Sequence, residues 1–74
     1  MSKFEALIAS PPDRESVVFE IWCGNRQFAE ISKEPGRDYE IEVYAAADGG
    51  VWHLDLMEFK TMLEGGIREL ASNP

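Results

Sequence analysis

The sequence is short of positive charge, of cysteine and of histidine. Its 74 residues hold 7 Lys and Arg against 14 Asp and Glu, for a net charge of −7. Binding to phosphate backbones runs on clustered Lys and Arg, so DNA and RNA are poor partners, and an anionic membrane surface is too. The single cysteine, Cys23, cannot close an internal disulfide, and a secreted chain of this size usually needs several. The first residues carry no cleavable signal pattern. No apolar run approaches the roughly 18 residues of a membrane span. Cytoplasmic location is the expectation. With one His and one Cys, a metal site would lack its usual ligand cluster. No phosphate-cradling G-x-x-x-x-G-K-[ST] stretch is present either, so no cofactor is expected.

What is present is apolar enough to fold. Hydrophobic residues make up 45% of the chain, including two Trp, two Tyr and four Phe. Residues 1–74 make one small domain, because a core this size rarely supplies more than about 3–5 kcal/mol.

The organisation follows from periodicity and punctuation. In residues 1–13, Phe4, Leu7 and Ile8 have the spacing of a short amphipathic helix, ended by Pro11-Pro12-Asp13. Residues 17–54 read as sheet. Val17–Cys23 is rich in β-branched and aromatic residues, Gln27–Ser32 follows the turn Gly24-Asn25-Arg26, and Tyr39–Ala45 follows a turn centred on Pro35-Gly36. Asp48-Gly49 signals a tight hairpin into a short fourth strand, Val51–Leu54. Residues 55–71 read as a helix with a capping box, Asp55 at the N-cap and Glu58 three residues on. Leu54 and Phe59 take the staple positions, and Leu56, Phe59, Leu63, Ile67 and Leu70 form one stripe. Gly65-Gly66 in that helix costs about 1 kcal/mol per residue against Ala, which suggests either a close approach to the sheet or a loosening. The fold class is therefore α+β: a four-stranded antiparallel meander with the C-terminal helix on one face.

Register follows from which side chains must share the buried face. Phe19 and Ile21 go in, opposite Ile31 and Ala29, and Ile41 and Val43 come next. The outer face is then determined. Trp22, Phe28, Tyr44 and His53 form an aromatic row crossing the strands. Beside it Glu20, Glu30 and Glu42 form an acidic row of like charges, which repel one another by up to about 1 kcal/mol per directly opposed pair. Three readings of the aromatic row stay open: cover by the N-terminal segment, self-association as a homodimer, or contact with a foreign protein. The acidic row reads either as a solubility strip or as a docking site for a basic partner.

Enzyme signals are weak. His53 could form an acid–base pair with Glu42 or Asp55. Cys23 would need an activating base, and Glu20 with Glu30 has no cleft to serve. The expected function is non-enzymatic protein binding through Glu20, Trp22, Phe28, Glu30, Glu42, Tyr44 and His53.

The stretches Glu20-Ile21-Trp22, Phe28-Ala29-Glu30-Ile31-Ser32, Glu40-Ile41-Glu42-Val43-Tyr44 and Trp52 through Phe59, within Val18–Leu70, carry a resemblance. They resemble a group of small, uncharacterised bacterial acidic proteins, loosely similar to immunity partners of bacterial toxin systems. The resemblance implies a protein partner and brings no site residues with it.

Overall fold

The computed structural model describes residues 4–46 and 49–72. It is α+β. Strands β1 (Phe4–Ala9), β2 (Val18–Cys23), β3 (Arg26–Ser32) and β4 (Glu40–Val43) form one antiparallel sheet in the order β1-β2-β3-β4. Helix α1 (Leu56–Ser72) packs against β2 and β3.

Two elements differ from the sequence expectation. The N-terminal segment is an edge strand, not a helix. Its register sets Ala6 beside Ile21 and Ile8 beside Phe19. Six residues are too few for a helix to hold alone, whereas hydrogen bonding along β2 satisfies this backbone at once. The expected fourth strand, Val51–Leu54, is not a strand. Of the hairpin signal at Asp48-Gly49, Asp48 lies outside the described residues, and Gly49 takes a positive φ of 69°.

The central register is the expected one. Phe19 faces Ile31, Ile21 faces Ala29, Ile31 faces Ile41 and Ala29 faces Val43. The odd residue between β2 and β3 is absorbed differently, however. Cys23 faces Arg26 across a two-residue turn, Gly24-Asn25, and a bulge falls between Ile21 and Trp22. Gly24 has φ 65°, as the primed hairpin turns demand at their first central position. The second turn is as expected. The Arg37 N–H donates to the Glu34 carbonyl (3.1 Å) around Pro35 and Gly36, with Gly36 at φ 75°, the geometry of a type II turn.

Of the expected capping box, the Asp55 side is present at the start of α1. The Glu58 N–H donates to Asp55 Oδ1 (2.9 Å), and Leu54 and Phe59 both lie against the core. The inward stripe is rotated from the one expected. Gly66 and Leu70 are buried, with Phe59, Met62 and Leu63 beside them, while Leu56 and Ile67 are exposed. Gly66 explains the rotation. A Cβ there would come within 2.8 Å of both Phe19 Cδ2 and Ile31 Cδ1. The helix backbone itself rests on the sheet at that point.

Candidate functional site on the outer sheet face and the β4 edge

The expected acidic row exists. Glu20 faces Glu30, and Glu30 faces Glu42, across three adjacent strands. The sequence reading missed its counter-ion. Arg14 reaches from the segment joining β1 to β2 and pairs with both Glu30 (2.7 Å) and Glu42. Burial pulls the Arg14 proton affinity down, but the hydrogen bonds and charges of Glu42 and Glu30 outweigh it and raise its pKa. Much of the repulsion along the row is thus offset from within the chain.

Local structure holds Arg14 in place. The Arg14 N–H donates to the Pro11 carbonyl (3.3 Å), closing a turn over Pro12-Asp13. One and two residues on, the N–H groups of Glu15 (3.2 Å) and Ser16 (3.0 Å) donate to the Glu34 carboxylate. One clue was available: three opposed carboxylates call for a cation, and Arg14 lies four residues before β2.

The aromatic row does not survive. The bulge turns Phe28 out of it, and Trp22 faces Gln27 instead. Phe28 is 3% exposed and stacks edge-on with Phe4, Trp52 and Phe59 at centroid distances of 5.8, 5.1 and 5.7 Å. It belongs to the main core. His53 sits exposed in the chain between β4 and α1, off the sheet. Trp22 and Tyr44 remain. Trp22 Nε1–H donates to Glu20 Oε1 (3.0 Å). The Tyr44 hydroxyl has a raised pKa, first from burial and then from the charges of Glu30 and Glu42. Of the three readings left open for this face, a cover formed by Phe4, Leu7 and Ile8 gives way, since β1 pairs alongside β2 and extends the sheet sideways. Cys23 is half-buried and faces Phe4 at the hairpin end.

Next to the row, β4 is a sheet edge. The helix does not cover its inner side, so Ile41 is 43% and Val43 57% exposed. Between β4 and α1 runs an apolar groove of about 150 Å³, lined by Ile31, Tyr39, Glu40, Ile41, Leu63 and Ile67. Among the described residues no group of His, Cys, Asp or Glu is placed to hold a metal ion. No described helix is long and apolar enough to cross a membrane.

Comparison with known proteins found no family model, no curated protein and no solved structure that matches the chain.

Proposed function

We propose that this chain is a non-enzymatic protein-binding module whose contact surface is the acidic outer face, running through Tyr44 to the β4 edge. One observation carries the reading. Three carboxylates line up on adjacent strands with one arginine paired to two of them, Glu30 and Glu42, and the row is least covered at its β4 end. There the Glu42 side chain is 58% exposed, against 12% for Glu30. Such a face attracts cationic partners and steers their approach. An immunity-like role toward a basic bacterial protein is one instance of such binding. Homodimerisation is less favoured, because like faces would meet with like charge.

The test is affinity capture from native lysate with three baits: wild type, Glu42→Lys, and Glu64→Lys on the exposed side of α1. The expected result is a protein retained by wild type and Glu64→Lys but lost with Glu42→Lys and at high salt. Identical capture by all three baits would overturn the reading.

A further inference from the structure

Edge strand β4 combines three features that bear on how a partner would attach. The first is hydrogen-bonding phase. The Tyr44 N–H donates to the Phe28 carbonyl (2.9 Å), and Glu42 and Glu30 face each other in the same register. An antiparallel ladder alternates, so Glu42 directs its N–H and C=O toward β3 while Ile41 and Val43 direct theirs away. The second is the bare inner side. Tyr39 just before the strand, Ile41 and Val43 on it, and Ile67 on the helix are all exposed. Tyr39, Ile41 and Ile67 border the groove where side chains of an added strand would fall, roughly 4.8 Å beyond β4. The third is charge. On the opposite side of the same strand, Glu40 and Glu42 point outward, Glu40 held by Arg37 and Glu42 by Arg14.

We infer that β4 accepts an extended segment of a basic partner protein as a fifth strand, one that alternates apolar residues with Lys or Arg. This rests on the proposed protein-binding function and specifies its geometry. Apolar residues of the added strand fill the groove beside Ile41, Leu63 and Ile67. Its cations continue the row Glu20–Glu30–Glu42. Main-chain hydrogen bonds to Ile41 and Val43 give affinity, and the alternation gives specificity. Net charge favours this occupant over a second copy of the chain, and two of the self-pairing registers add direct repulsion. A two-fold pairing of β4 with itself sets Glu40 against Glu42 when centred on Ile41. Centred on Glu42, it sets that carboxylate against its own copy. Directly opposed like charges destabilise a sheet, and the chain as a whole carries −7.

The test titrates isotope-labelled protein with a short synthetic peptide alternating lysine and valine, following amide exchange by NMR. The expected result is slowed exchange at Ile41 and Val43. N-methylating the peptide amides that face β4 should weaken binding about tenfold or more, as loss of two backbone hydrogen bonds implies. A glutamate–valine peptide should not bind. Four outcomes would overturn the inference. The peptide could perturb Glu20, Trp22 and Glu30 while exchange at Ile41 and Val43 stays unchanged; strand addition then fails, but binding by the outer face stands. The glutamate–valine peptide could bind as well. Neither peptide could bind. Or Ile41 and Val43 could be protected in the free protein as it sediments as a dimer, making a second copy the occupant.

Discussion

β2 and β4 carry nearly the same pattern and meet opposite fates. Phe19-Glu20-Ile21 and Ile41-Glu42-Val43 both alternate apolar and acidic residues, and both direct the apolar ones to the inner side. Ile21 is 0% exposed, while Val43 is 57% exposed. Alternation decides which way a side chain points. Coverage is a separate matter, decided here by where α1 lies. The helix rests over β2 and β3, where Gly66 lets its backbone touch Phe19 and Ile31, and it leaves β4 bare. The centre of the sheet is enclosed, and the edge is left exposed.

The largest test of that contrast is truncation at matched positions. Ile21→Ala removes a fully enclosed side chain and should cost about 2–5 kcal/mol, near the whole stability expected of so small a core. Circular dichroism should show it largely unfolded at room temperature. Val43→Ala leaves no cavity, because solvent already reaches that side chain, and should cost less than about 1 kcal/mol. Similar losses at the two positions would mean that something covers β4.

The two helix glycines give a smaller and more pointed test. Alanine at either gains up to about 1 kcal/mol in helix propensity. At Gly65 the added methyl meets nothing closer than an Arg68 guanidinium nitrogen at 3.9 Å, so Gly65→Ala should raise the melting temperature. At Gly66 it runs into Phe19 Cδ2 and Ile31 Cδ1 at 2.8 Å. The Ile31 methyl can swing aside, but the Phe19 ring is held in the core. Overpacking of this kind costs about 1–3 kcal/mol, so Gly66→Ala should lower the melting temperature. Equal gains at both would mean the helix stands off the sheet.

Sequence reading reaches as far as alternation and local chemistry reach. The pairing of Phe19 with Ile31 and of Ile31 with Ile41 is legible because a slip of one residue would turn every apolar side chain to solvent. Asp55 and Glu58 are legible because caps act within one turn. Phe28 is not, since its direction depends on whether the odd residue before Ala29 widens the turn or bulges the strand. The turn Gly24-Asn25 prefers two residues, so the bulge takes it. The N-terminal strand is missed because Phe4, Leu7 and Ile8 fit a helical stripe, and only the open edge of β2 makes extension the better choice. Of the candidate site, the row Glu20, Glu30 and Glu42 is legible from register. Arg14 comes from a loop, and no periodicity places a loop side chain.

Arg14 joins the centre to the edge, and its removal should have an intermediate effect. Arg14→Ala leaves Glu30, 12% exposed, with no cation beside it. A cost of about 1–2 kcal/mol is expected, in the range for lost hydrogen bonds between charged groups. Glu30→Gln should cost more than Glu42→Gln, because the edge carboxylate is largely solvated and exposed pairs contribute little. Glu30→Lys should destabilise, since it sets a lysine against Arg14. Were the row merely three repelling carboxylates, that reversal would stabilise. Thermal melts of the four variants at low salt decide between the two.

The smallest effect concerns Tyr44, at the end of β4 where the edge meets the acidic row. Burial raises its pKa above the ordinary value of 10.0, and the charges of Glu30 and Glu42 raise it further. The folded state therefore holds the phenolic proton more tightly than the unfolded chain does. That preference contributes stability in full below about pH 10. It is lost as pH climbs through the folded pKa, because there the folded protein must place a phenolate beside two carboxylates. The expected result is an alkaline decline in melting temperature that begins near pH 10 and is shallower in Tyr44→Phe, with the two proteins alike at neutral pH. A cation docked along the row would place positive charge near the hydroxyl and pull its pKa back down. The ultraviolet titration of Tyr44 should then move to lower pH when the lysine–valine peptide is added. An unmoved titration with the peptide bound would put the peptide's charges away from Glu30 and Glu42, and the edge would be binding through its apolar side alone.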